Sequence, residues 1–215
     1  MTWLKVCGIT SVEDAAAACE LGYDAVGLVF ADSPRRLSAE QAKEICSALT
    51  SSIMRVGVFS GMGNEEVRNL AEGCGLDLVQ LHGEEMAEEA ASFGSRAIVA
   101  RRPRSREDLE SIGAFSQAFA VLIDTWDPVL AGGTGRTCDW ELAARAAGTA
   151  RIILAGGLNP ANVAEAIAEV DPFGVDVSSG VELRPGVKDH ALMRDFARAV
   201  RGAGTADEEV SHDEE

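Results

Sequence analysis

Lysine is nearly missing from this 215-residue chain: Lys5, Lys43 and Lys188 are the whole complement, against 35 aspartates and glutamates and a net charge of -16. So acidic a surface repels polyanions, which excludes nucleic acid as an expected partner. The one basic cluster, Arg101, Arg102, Arg104 and Arg106, reads as a solvated loop and helix start. Long apolar runs are missing as well. No stretch approaches the ~20 residues of a membrane-crossing helix, and Met1 to Ile9 has neither a basic region nor a long apolar one, so no membrane partner and a cytoplasmic location are expected. The five cysteines, Cys7, Cys19, Cys46, Cys74 and Cys138, include no C-x-x-C pair, which argues against a disulfide framework and against a zinc site.

What is present is an ordinary globular composition, 47% apolar and 25% charged with 22 glycines. Short β-branched or apolar runs alternate with longer amphipathic segments, the signature of an α/β protein. Strands are expected near Trp3 to Val6, Asp24 to Phe30, Ile53 to Phe59, Asp77 to Leu81, Arg96 to Ala100, Ala118 to Ile123, Arg151 to Leu154 and Gly174 to Val177. Between them, Thr10 with Glu13 and Ser38 with Gln41 read as capping boxes, and Asn159 with Pro160 reads as another helix start. The words "GYDAV" at Gly22, "GLDLV" at Gly75 and "GVDV" at Gly174 suggest units of about 25 residues, with Asp176 later in its strand than Asp24 or Asp77. Eight such units favour a single closed (β/α)8 barrel (the TIM barrel) over residues 1–201. Residues 202–215, with six acids from Asp207 onward, read as a disordered tail in which His212 is a bystander.

In such a barrel the active site is built at the C-terminal ends of the strands. That rule selects Cys7, Asp32 to Arg36, Ser60, His82, Arg101, Asp124, Gly156 with Gly157, and Asp176 to Gly180. In "LAGGLNPANV" two glycines let the backbone approach an anion in front of a helix start, and "DVSSGVE" adds two hydroxyls and a glycine in the next unit. A pair of tight strand-to-helix turns would have the same composition. Cys7 shares a strand face with Lys5, and a nearby ammonium and a helix start would both favour its thiolate, making it a general base unless it is a buried structural cysteine. Asp124 closes the apolar run "FAVLID", where desolvation can make a carboxyl a general acid, or it is a cap or loop salt bridge. His82 reads as a hydrogen-bonded structural or binding group before a catalytic one. The following "TWDPVLAGGTGRTCDW" has the glycine content of a lid, or of any flexible loop.

"KVCGIT", "GLVFADSPRRLS", "VGVF", "VQLHGEE", "IDTW…GGTGRTCDW", "LAGGLNPANV" and "DVSSGVE…PGVKD" occur in the order and spacing of one family, and from about residue 3 to residue 200 the chain resembles the phosphoribosylanthranilate isomerases. The resemblance implies an Amadori rearrangement in tryptophan biosynthesis without metal or organic cofactor. By that resemblance Cys7 is the base and Asp124 the acid. Arg35 holds the anthranilate carboxylate, His82 and Asp176 bind substrate, and Gly156, Gly157, Ser178, Ser179 and Gly180 hold its phosphate. The partner implied is a phosphorylated small molecule, and the protein a monomer or homodimer. Two other readings stand beside it: a dual isomerase of histidine and tryptophan synthesis, against which strand one ends in a cysteine rather than an aspartate, and a catalytically silent sugar-phosphate-binding barrel.

The lysine scarcity and acidic excess resemble proteins of halophilic cytoplasms. Like charges repel over a Debye length of about 30 Å at 0.01 M salt but only about 3 Å at 1 M. The midpoint of thermal unfolding is therefore expected to rise substantially from dilute buffer to molar potassium chloride. Deleting Gly202 to Glu215 is expected to lessen that rise, and a flat response of the full chain would refute the salt adaptation.

Overall fold

A computed structural model describes residues 1–83, 87–124 and 140–203. Its parallel strands are β1 (Trp3–Cys7), β2 (Ala25–Val29), β3 (Met54–Phe59), β4 (Leu78–His82), β5 (Ala97–Arg101), β6 (Ala120–Asp124), β7 (Ile152–Ala155) and β8 (Gly174–Val177). They pair in chain order and β8 returns to β1, which closes the barrel. The helices are α1 (Val12–Glu20), α2 (Ala39–Ala48), α3 (Asn64–Cys74), α4 (Ala87–Ala91), α5 (Arg106–Glu110), α6 (Trp140–Ala147), α7 (Val163–Val170) and α8 (His190–Ala203). All eight expected strands are present, with ends shifted by up to two residues. The expected lid lies outside the described residues except for Trp140. So do Cys138, His212 and the chain beyond Ala203, where α8 ends two residues past the expected barrel boundary.

Local chemistry accounts for the helix starts, in two cases differently from expectation. Ser38 and Gln41 do form the reciprocal box on α2. For α1 the cap is Ser11, whose hydroxyl accepts from the Asp14 N–H at 3.1 Å, because the Thr10 hydroxyl donates instead to the Gly186 carbonyl. Helix α7 begins at Val163, not at Pro160, since Asn159 and Asn162 cap the preceding turn: Ala161 N–H donates to Asn159 Oδ1 at 2.9 Å and Asn159 N–H to Asn162 Oδ1 at 2.8 Å. One feature has no counterpart in the expectation, a hairpin of β9 (Glu182–Arg184) and β10 (Val187–Lys188) between β8 and α8.

The repeated aspartates have a repeated task. Just before β2, Asp24 Oδ2 accepts the Leu4 N–H at 2.8 Å, and just before β4, Asp77 Oδ2 accepts the Arg55 N–H at 2.8 Å. Each satisfies a backbone donor of the preceding strand at the N-terminal end of the barrel, where an orphan donor would be costly. Asp176 is different: as the third residue of β8 it points into the barrel.

The interior is layered. Trp3, Phe119 and Phe173 plug the N-terminal end, with ring centroids 5.7 to 6.0 Å apart. Aliphatic side chains such as Val56, Leu78, Ile98, Leu122 and Ile153 fill the space beyond them. Lys5, Gln80 and Asp176 are buried among the inward-facing positions nearer the mouth. Gly174 sits against the plug, where an added Cβ would lie 2.8 Å from the Trp3 carbonyl oxygen and 3.0 Å from its ring. Overpacking of this kind costs about 1–3 kcal/mol. Gly174→Ala is therefore expected to lower the thermal midpoint while leaving the chemistry at the opposite end of the barrel unchanged; an unshifted midpoint would show that the plug yields.

Candidate active site

Strand alternation aims Lys5 and Cys7 at the same side of β1, and the register places Asp176 of β8 opposite Lys5 and Gly27 of β2 opposite Cys7. Glycine is required at that last position, since a Cβ on Gly27 would come within 2.7 Å of the thiol sulfur. The fully buried Lys5 Nζ lies 2.8 Å from Asp176 Oδ2. A second ammonium closes the seam from β10: Lys188 Nζ donates to the Cys7 carbonyl at 2.7 Å, the Ser178 carbonyl at 3.1 Å and Glu182 Oε1 at 2.9 Å. Glu182 also receives Arg35, whose Nε donates to Oε1 at 2.8 Å and Nη2 to Oε2 at 2.5 Å. Arg35 reaches it by crossing over Gly8, whose φ of +79° and close contact with the Arg35 side chain leave no room for a Cβ. The Arg35 Nη1 edge has no protein partner among the described residues, which leaves one face of the fork for a carboxylate ligand.

Burial governs the acid–base state of this seam. It pushes the Cys7 thiol above its ordinary value; Lys5 and Lys188 pull down and Asp176 pushes up, and burial prevails. The neighbouring ammonium does favour the thiolate, as the sequence led one to expect, but burial, which the sequence does not display, works against it and is the larger effect. Burial works to lower Lys5, but Asp176 and Cys7 outweigh it and hold the ammonium above its usual range. Burial raises Asp176 despite Lys5. The Asp176 Oδ1 has no hydrogen-bond partner among the described residues, so the site keeps a buried acceptor for a donor the protein does not supply.

Across the mouth, Asp124 ends β6 and its carboxylate Oδ2 accepts from Arg102, at 2.9 Å from Nε and 2.5 Å from Nη2. With His82 at the end of β4, both line a cavity of about 640 Å³ that also includes Arg101, Arg104 and Asp108. The arginine cluster is therefore not uniformly solvated. Arg101 lies with its guanidinium 4.4 Å from the Phe115 ring and donates to the Gly83 and Ala100 carbonyls, and Arg102 engages the β6 carboxylate.

The two glycine-bearing loops meet beside β1. Gly156 and Gly157 have φ of 89° and 66°, open without strain only to glycine. A Cβ on Gly180 would overlap the Leu158 carbonyl oxygen at 1.9 Å, so the turn after β8 packs backbone to backbone on the loop after β7. The hydroxyls of Ser178 and Ser179 in that turn have no partner among the described residues, while Lys188 holds the Ser178 carbonyl from behind.

The model of the N-(5'-phosphoribosyl)anthranilate isomerase family matches residues 4–199. The chain belongs to that family. Over 202 residues it is 46% identical to the N-(5'-phosphoribosyl)anthranilate isomerase of Pelobacter propionicus, covering 94% of this chain and 96% of that one. The crystal structure of phosphoribosylanthranilate isomerase from Thermotoga maritima superposes with a TM-score of 0.86 at 41% identity, over 94% of this chain and all (100%) of that one. A second solved isomerase, in complex with reduced 1-(o-carboxyphenylamino)-1-deoxyribulose 5-phosphate, gives 0.84 at 39% identity over 94% and 100% of the two chains.

Within this isomerase fold the sequence-derived residues gather at one barrel end in two groups. Cys7, Arg35, Asp176 and the glycine and serine loops surround the β8–β1–β2 seam, and His82 with Asp124 lies toward β4 to β6. Sequence reasoning missed Glu182 and Lys188, which join parts of the first group, Gly27, which makes room for the thiol, and Arg102. The quoted stretch "DVSSGVE…PGVKD" contains both Glu182 and Lys188, so the signal was present without its reason.

Glu182 carries the sharpest consequence. Burial of its carboxyl works upward, but hydrogen bonds and charge from Arg35 and Lys188 outweigh it and bring it down to about 2 from 4.5. A folded value below the unfolded one contributes stability that is complete above pH 4.5 and is lost as pH falls toward about 2. Glu182→Gln is expected to be less stable at neutral pH and to lose less additional stability across that window. Parallel decline of both proteins in denaturant titrations would contradict the assignment.

Proposed function

We propose that this chain catalyses the Amadori rearrangement of N-(5-phospho-β-D-ribosyl)anthranilate to 1-(2-carboxyphenylamino)-1-deoxy-D-ribulose 5-phosphate in tryptophan biosynthesis, with Cys7 as base and Asp124 as acid. The observation that carries the reading is their placement: a thiol ending β1 and a carboxyl ending β6 open on the same barrel end as the two glycine loops. The Asp124 carboxyl gives its proton to the ribose ring oxygen. The C1–O electron pair goes to that oxygen, the ring opens, and the anilino nitrogen lone pair forms the iminium. The Cys7 thiolate then removes the proton from C2, and those electrons form the enolamine that tautomerises to the ketose. The thiolate needed for that step is assisted by Lys5 and Lys188, both of which favour the charged sulfur.

Substrate placement follows from the same geometry. The loops of Gly156, Gly157, Ser178, Ser179 and Gly180 take the phosphate, Asp176 Oδ1 accepts from a ribose hydroxyl, Arg35 meets the anthranilate carboxylate on its uncommitted edge, and His82 contacts substrate from β4. Amino-acid composition supports a halophilic, cytoplasmic setting, since three lysines face 35 acids. No helix among the described residues is long and apolar enough to cross a membrane.

Loss of substrate fluorescence with freshly prepared phosphoribosylanthranilate tests the reading. Cys7→Ser and Asp124→Asn are each expected to fold and to lose about 10²–10⁴ in turnover, the range for a positioned acid or base. Near-normal turnover in either variant would remove that residue from the mechanism.

A further inference from the structure

We infer that Arg102 is a positioning residue for Asp124, holding its carboxyl from the neighbouring strand and stabilising the carboxylate left after proton donation. The pairing is built into the sheet. Register matches Ala100 with Leu122 and Arg101 with Ile123, so the next pair is Arg102 with Asp124. Ala100 and Leu122 belong to the interior cluster, and the two-residue period of a strand turns Arg102 and Asp124 toward the same side. Both guanidinium donors converge on one oxygen, Oδ2, at 2.9 and 2.5 Å. The Asp124 side chain is 13% exposed and that of Arg102 is 54% exposed, so the arginine approaches from the solvent side and covers a nearly buried acid.

The chemical effect follows from the reaction proposed above, on which the inference rests. When the Asp124 O–H bond breaks and the ring-oxygen O–H bond forms, a negative charge appears on Asp124. A guanidinium already in contact with that oxygen stabilises it without reorganisation. Other charges around Asp124 come from each side: His82 of β4, Arg101 of β5, Arg104 and Asp108 beyond it, and Asp176 of β8, which the charge of Asp124 helps to raise. Neighbouring β7 ends in Ala155 and adds no charge. Arg102 is in direct ion-pair contact with Asp124.

The test is kcat and KM for Arg102→Gln and Arg102→Lys at neutral pH, with thermal melts to establish folding. Arg102→Gln is expected to lower kcat about tenfold, the loss being modest because the guanidinium is half exposed. Lysine is expected to restore kcat in part, and KM to change less than threefold. In the Asp124→Asn background, Arg102→Gln is expected to add no further loss. An unchanged kcat, a loss confined to KM, or an undiminished loss in the Asp124→Asn background would each overturn the assignment. Retained turnover in Asp124→Asn itself would instead remove the acid on which it depends, so the two failures are distinguishable.

Discussion

Charges withdrawn from water must be balanced by other charges, and that constraint organises the β8–β1–β2 seam. Lys5, Lys188 and Arg35 bring three cations to it, and Asp176 and Glu182 bring two carboxylates. With Cys7 as a thiol the seam carries one positive charge in excess; with Cys7 as a thiolate it is neutral. Burial opposes the thiolate and is the larger effect, while the surplus cation favours it, so the sulfur responds to any change in the charges of the seam, substrate anions included. Removing one carboxylate would strand ammonium groups out of water, a larger penalty than the loss of a surface ion pair.

That network needs backbones closer together than side chains normally allow, and glycines supply the approach. Gly27 gives the Cys7 sulfur its space, Gly8 lets Arg35 cross β1, and Gly180 lets the turn after β8 rest on the loop after β7. The three contacts connect the base, the arginine and the phosphate loops into one surface. A glycine inside a strand such as β2 ordinarily weakens it, and its presence there is explained by the sulfur across the register.

The barrel was legible because its evidence is local: each strand is a short run of β-branched or apolar residues, and α1, α2 and α7 begin close to residues that read as caps. The hairpin of β9 and β10 was not, because a strand of two or three residues makes no periodic pattern. Much of the site was legible by position at strand ends and by family motif. What could not be read was which residues act through one another. Glu182 and Arg35 are 147 positions apart, and Lys188 meets the Cys7 carbonyl across 181. The protonation of Cys7 illustrates the same limit: sequence proximity to Lys5 was visible, whereas the burial that outweighs it is a property of the closed barrel.

The two ends of the barrel therefore solve different problems with the same residue types. At the N-terminal end Asp24 and Asp77 accept backbone N–H groups, and Arg201 donates to the carbonyls of Thr2 and Gly22, so charge is used to finish hydrogen bonds that closure would otherwise leave open. At the C-terminal end carboxylates meet ammonium and guanidinium groups beside a thiol, where a change in one proton alters the balance of the whole group. Acid and base lie on β6 and β1, separated in sheet order by β7 and β8, so each is shaped by its own partners: Arg102 for Asp124, and Lys5 with Lys188 for Cys7. Separate partners let a cation stand ready for the negative charge each group carries during the proposed reaction, on Asp124 once it has given its proton and on Cys7 before it takes one.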